Sequence, residues 1–363
     1  MNTHSHPDGD IILRSLQGTL FPLHSYTLRT TSGLFRTIFT LPQPCSPPPT
    51  PIIIPIYEPT SLLTQFLPLL TGRPSPKALH TLDLGTLTRL LVIAEKWDAP
   101  GPITYIRNVI NGSHFIDQHV FFPYSPFRSV FSPEEDEFDE ECTDEYLGPL
   151  TGFFRTDPVR VYVLSRHFRW RAEAERAAVS LLALSEEEVE RRWVDVREGR
   201  LSRFEESAEE EEGEGEDATM FMVTNRAWDS LVELRRRRCG RFKELIDSQE
   251  RFTAGNNPNN ACIRCSTKLD NTSWTELKSA MMAELESRPL GDTVLAAMAV
   301  PAGAASTGRR SEGEAWHELV SCFQAQCPVK GCGAANYDPL ATIKQIRKCV
   351  KELPWRVGWD EDI

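Results

Sequence analysis

Two closely spaced cysteine pairs are the residues in this sequence best suited to chemistry. Cys262 and Cys265 form a Cys-x-x-Cys pair, and Cys327 and Cys332 bracket a proline- and glycine-containing turn, CPVKGC. Thiolates this close on a tight turn can both reach one zinc ion at about 2.3 Å, and two such pairs complete a tetrahedral set. Cys322 is a rival for the fourth position and His317 a weaker one. Reduced, partly buried thiols without metal are the plainer alternative. With four protein ligands no position is left for water or substrate, so such a zinc would be structural and not catalytic. A redox role for Cys262 and Cys265 lacks the strand–helix setting that such motifs need.

A second cluster is basic. Arg235 to Arg238 and Arg241 fall within an amphipathic helical pattern. An import signal or a phosphate contact is one reading; pairing with acidic stretches such as Glu209 to Glu212 is the favoured one. No glycine-rich phosphate loop, nucleophile-elbow serine or zinc-metalloprotease helix is present, so an enzyme is not expected.

The 363 residues carry a formal charge of −12, which repels nucleic acid and anionic membrane surfaces on average. No apolar run approaches the roughly 20 residues of a membrane span, and no basic-then-apolar leader opens the chain. The nine cysteines, an odd number, argue against an extracellular disulfide framework. An intracellular protein of cytoplasm or nucleus is expected.

The elements that must position these residues follow from periodicity and breakers. Ile12, Leu13 and Leu16, a turn at Gly18 and Thr19, and Leu20 to Leu23 read as a β-hairpin. Ser32 is a plausible N-cap for a helix carrying Leu34, Phe35, Ile38 and Phe39. Prolines from Pro42 to Pro51 form a loop before a strand at Ile52 to Ile56. Helices follow through Leu62 to Leu70, ended by Gly72, then Leu84 to Trp97, then Ile103 to Ile110. Later helical patterns run from Pro158 to Leu181, Trp228 to Ile246, Trp274 to Leu285 and Leu340 to Leu353. Between them lie an aromatic and acidic insertion, a second acidic stretch from Glu205 to Asp217, and a run of small residues from Ala299 to Gly313. The expected fold class is α+β, a small sheet flanked by helices followed by a mainly helical, loop-rich region. The expected division is 8–114, an insertion at 115–152, a helical segment at 153–200, an acidic linker at 201–224, and a helical region at 225–359 holding the cysteines. Leu90 to Trp97 and Val163 to Trp170 share a pattern that aligns Trp97 with Trp170, too little for a repeat array.

The order of the first hundred or so residues resembles the BTB/POZ family. The residues carrying the resemblance are Asp10 before the first strand, His24 after the hairpin, Leu28, Ser32, Phe35 and Phe39 on the next helices, Ile54 in the third strand, and Leu70, Gly72, Leu91, Ala94 and Trp97. His24 is expected to be a satisfied core histidine. The sequence departs from the family at Ser25, where members often carry a basic residue, and in its long loop at 42–51. The chain beyond Asp157 resembles, more loosely, the large set of fungal BTB proteins. The resemblance implies homodimer or heterodimer formation and, in some members, docking onto a cullin-type ubiquitin ligase scaffold. The function it implies is a protein-interaction adaptor. The alternatives are a ubiquitin-ligase substrate adaptor, aided by the helices after Asp157, and a transcription regulator with a zinc-stapled carboxy-terminal module.

Overall fold

Ile11 and Leu13 are buried while Ile12 and Arg14 are not, the two-residue period of a half-buried strand. This strand, β1 (Ile11–Arg14), pairs antiparallel with β2 (Leu20–Leu23), and Gly18 takes the positive φ of 83° that the hairpin needs. Helices α1 (Ser25–Thr31) and α2 (Gly33–Thr40) precede β3 (Ile52–Pro55), which lies parallel to β1 and gives the order β2-β1-β3. Helices α3 (Thr60–Leu70), α4 (Leu84–Lys96) and α5 (Pro100–Ile110) follow.

The computed structural model describes residues 8–41, 52–72, 82–112, 152–197, 217–257, 259–298 and 316–359. The proline loop at 42–51, the insertion from 115 to 151, the acidic residues 201–216 and the small-residue run at 299–313 lie outside the described residues. The fold is α+β and mostly helical, with this one small sheet near the amino terminus. It separates into two units, the first built chiefly from residues up to 112, the second from Pro158 onward. Among the described residues no helix is long and apolar enough to cross a membrane.

The first unit is organised around Trp97. Its indole is 1% exposed and packs edge-on against Phe35 and Phe66, each at 5.1 Å between ring centroids. Ser32, fully buried, donates its hydroxyl to the Trp97 carbonyl at 2.6 Å and accepts from the Phe35 amide, so the α2 cap doubles as a tie to the end of α4. Gly33 continues that docking: its amide donates to the Asp98 carbonyl, and a Cβ there would run into the Asp98 carboxylate. Gly72 takes a positive φ of 70° just past α3, the expected helix stop.

Asp10 and His24 act differently from one another. Asp10 accepts from the Ser25 amide at 2.7 Å and the Ser25 hydroxyl at 2.5 Å, capping α1 from the neighbouring strand. These bonds, the hydroxyl first, hold its carboxyl below the usual 3.8. His24 is not the core histidine expected. It occupies the N-cap position without making a side-chain cap, its imidazole is 37% exposed, and Nε2 faces Asp8 at 3.6 Å.

The short helix α6 (Phe153–Thr156) belongs to the first unit. The second unit opens with α7 (Pro158–His167), α8 (Arg171–Leu182) and α9 (Glu186–Arg197). The turn from α7 to α8 resolves the Trp97/Trp170 similarity. Asp98 (φ 48°) and Arg169 (φ 57°) are the left-handed residues at the ends of α4 and α7. The residue after each, Ala99 and Trp170, donates its amide five positions back at 2.8 Å. The equivalent of Trp97 is therefore Phe168, two residues off the register the sequence suggested, because the backbone turn and not the aromatic sets the alignment.

Helix α10 (Asp217–Asp247) starts inside the stretch assigned to an acidic linker, and the segment from Pro158 packs in one unit with the carboxy-terminal region. Helices α11 (Thr253–Asn256), α12 (Thr272–Ser287), α13 (Asp292–Ala297), α14 (His317–Gln324) and α15 (Pro339–Lys351) complete it. Phe242, Ile246, Trp274, Leu277, Met281, Leu285 and Ile346 form its core.

Neither reading of the arginine cluster holds for its two buried members. Arg235 and Arg238 lie on the buried stripe of α10, at 9% and 4% exposure. Arg235 donates to the carbonyls of Leu181 in the last turn of α8, Leu184 just past it, and Ser287 at the end of α12, where the helix ends gather partial negative charge. Arg238 donates to Pro289, Leu290 and Pro354 at 2.7 to 2.9 Å. Burial pulls its pKa down to about 10, which leaves the guanidinium charged at neutral pH. Arg236 and Arg241 pair with Glu233 and Glu244 on their own helix.

Candidate metal centre

Tight hydrogen-bonded hairpins, one around each cysteine pair, build the site. In the first, the Leu269 amide donates to the Asn260 carbonyl and Cys262 to Thr267; in the second, Asn336 donates to Ala325 and Cys327 to Ala334. Each closes on one antiparallel bridge, Ala261 to Lys268 and Gln326 to Ala335. The residue after the second cysteine is left-handed in both, Ser266 at φ 59° and Gly333 at φ 57°. The two knuckles are thus local copies, the second longer by two residues between its cysteines.

Copy onto copy, the knuckles converge. The four Sγ atoms of Cys262, Cys265, Cys327 and Cys332 all lie within 4.8 Å of one another. Between the knuckles, Cys262 and Cys332 stand 3.5 Å apart, as do Cys265 and Cys327. Ligands at 2.3 Å around a tetrahedral ion would stand about 3.8 Å apart, so the cluster is close to the size one zinc requires. It is too wide for disulfides, and all four thiols are free.

Backbone donors aim at every sulfur, in each case from two residues on. Arg264 and then Cys265 offer amides to Cys262 and lower its pKa from 9.0. Thr267, by hydroxyl and amide, draws Cys265 down to about 6. The Val329 and Ala334 amides serve Cys327 and Cys332 in the same way, yet Cys327 is pushed up to about 12 and Cys332 also rises, because their proton is shared with the neighbouring thiols. Four thiolates this close would repel one another, so a full set of them needs a cation between them.

The rival ligands are elsewhere. Cys322 is fully buried in the core with Leu319, Tyr337 and Ile346, and burial pushes its thiol up to about 12. His317 is the first residue of α14 and is not part of the cluster. Both were plausible only by proximity in sequence.

Sequence reasoning missed the asparagines that seat the first knuckle. Asn256 receives the Trp274 indole N–H at 2.8 Å and donates to the carbonyls of Ile246 and Ser248. Asn271 donates to Gly255 and Asn257 and accepts from the Tyr337 hydroxyl, a residue just past the second knuckle. Asn260 ties to Ala254. The run NNPNN at 256–260 signals a loop but gives no hint of these partners.

Comparison with protein-family models, with curated proteins and with solved structures finds no match for this chain.

Proposed function

We propose that the chain is a protein-interaction adaptor. Its amino-terminal unit is a BTB/POZ-type module that self-associates or recruits a partner, and its carboxy-terminal unit is stapled by one structural zinc. The observation that carries the interaction reading is the outer face of the sheet. Strand register sets Pro22, Ile12 and Ile53 side by side across all three strands, and Ile53, on the edge strand, is 51% exposed. An apolar row on the solvent side of a sheet whose edge strand β3 pairs with no further strand among the described residues is a surface made for covering. The element order, a hairpin, two helices, a strand parallel to the first and further helices, also agrees with the helix-flanked sheet that the resemblance implies.

Mass in solution tests this. The full chain at micromolar concentration is expected to run as a dimer and Ile53→Lys as a monomer; a wild type that is strictly monomeric removes the self-association reading. Pull-down with a cullin-type scaffold decides the narrower ligase-adaptor form, and no binding leaves the general reading standing.

The zinc reading is supported by the four-sulfur geometry and the amides directed at it. Metal analysis of the purified protein is expected to give about one equivalent, lost in Cys262→Ser.

A further inference from the structure

Each knuckle carries, between its cysteines, a β-branched aliphatic residue followed directly by a basic one: Ile263 and Arg264 in the first, Val329 and Lys330 in the second. All four are exposed, and Ile263, at 93%, is the most exposed large apolar side chain among the described residues. The two tips share one surface, since the Arg264 guanidinium reaches across to the Cys332 carbonyl at 3.2 Å. Nothing in the hairpin geometry requires an aliphatic residue at either position. The turn is made by the cysteines, their amide donors and the left-handed residues after them.

Charge gives the surface a direction. From Ala261 to Lys268 and from Gln326 to Ala335 there are three cations, Arg264, Lys268 and Lys330, and no carboxylate, in a chain that elsewhere holds 52 acidic residues. Four thiolates on one divalent ion contribute two negative charges, so the cations still prevail. We propose that the paired knuckle tips are a docking surface for an acidic segment of a partner protein, one carrying an aliphatic or aromatic side chain to seat between Ile263 and Val329. A nucleic acid fits less well: phosphates have no use for the two aliphatic tips, and the net charge of −12 opposes a long polyanion. The inference rests on the zinc staple for the fixed placement of the two tips.

The test pans the full-length, zinc-replete chain against a random-peptide phage library, in parallel with Ile263→Asp/Val329→Asp and Lys268→Glu/Lys330→Glu. All four positions face solvent, and zinc content is measured on every preparation. The expected result is a set of acidic peptides, each with an aliphatic or aromatic residue. Both variants should bind them about tenfold more weakly or worse, the loss typical of removing an interface anchor. Peptides without acidic bias, equal binding by the variants, no enrichment, or capture of DNA that Lys268→Glu/Lys330→Glu abolishes would each overturn the proposal. Zinc near one equivalent with any of those outcomes condemns the docking surface alone; a wild type without zinc condemns the staple first.

Discussion

The surroundings of Trp97 in the first unit and of Cys262 in the second represent two ways of ordering a chain. Around Trp97 the first unit is held by apolar contact, with Phe35 and Phe66 edge-on and buried leucines from α3 and α4. Its polar devices, the Ser32 cap and the Asp10 to Ser25 bond, secure element ends. The second unit also has a core, but polar groups do more of the holding: four converging thiols, Arg235 and Arg238 on main-chain carbonyls, and asparagines bracing the first knuckle. Nonspecific burial suffices for the first; the second also needs particular groups satisfied in particular places.

Metal removal should separate the two most sharply. Binding free energy at a structural zinc is folding free energy, on the order of 10 kcal/mol for small zinc modules. Chelation or Cys262→Ser should therefore lower one calorimetric transition, that of the second unit, and leave the other in place. A single transition moving as a whole would break the comparison.

Trp97→Ala should do the reverse, costing the first unit about 3–5 kcal/mol through lost burial and the cavity left between Phe35 and Phe66. Chemical denaturation followed by metal release checks it: zinc retention should not change. Arg238→Leu fills the same space with apolar atoms but strips donors from the carbonyls of Pro289, Leu290 and Pro354, so a loss of about 2–3 kcal/mol from the second unit is expected. Arg238→Lys should recover little of it, since one ammonium cannot reproduce the planar fork. A neutral Arg238→Leu would show that burial alone orders this unit too.

The smallest effect concerns acid. Asp10 has its pKa lowered in the folded state, so its contribution is present above 3.8 and is lost as the pH falls through the lowered value. Asp10→Asn should cost below about 1 kcal/mol at neutral pH, because the site is solvent-screened. It should also flatten the acid limb of the first unit's stability curve, measured by denaturation across pH.

What could be seen in the sequence divides along the same line. Strands, caps and the α3 to α5 helices of the first unit follow from alternation, Ser32 and Gly72, because apolar periodicity is a local signal. Cysteine spacing likewise pointed to the four thiols that the structure brings together, since a knuckle is a local structure. Arg235 and Arg238 were hidden: their partners are carbonyls some fifty and more residues away, and carbonyls have no residue type to read. His24 misled because its burial is set by the elements packed around it, which its residue type and position do not disclose. The register of the two helix ends misled because a left-handed turn carries no obligatory side chain, so Trp97 was matched to the wrong aromatic.

The knuckles' separation along the chain has a consequence for how the protein can vary. Cys265 and Cys327 stand 62 residues apart, so a metal joining them closes a long loop that includes α12, α13 and the small-residue run at 299–313. The entropy of closing a loop grows only with the logarithm of its length, about 0.6 kcal/mol per doubling. Each knuckle makes its own turn and directs its own amides at its own sulfurs, without residues of the other knuckle. Loop closure accordingly sets little penalty on the distance between the two halves of the site: a longer chain between them would cost little entropy, while each half keeps its own turn.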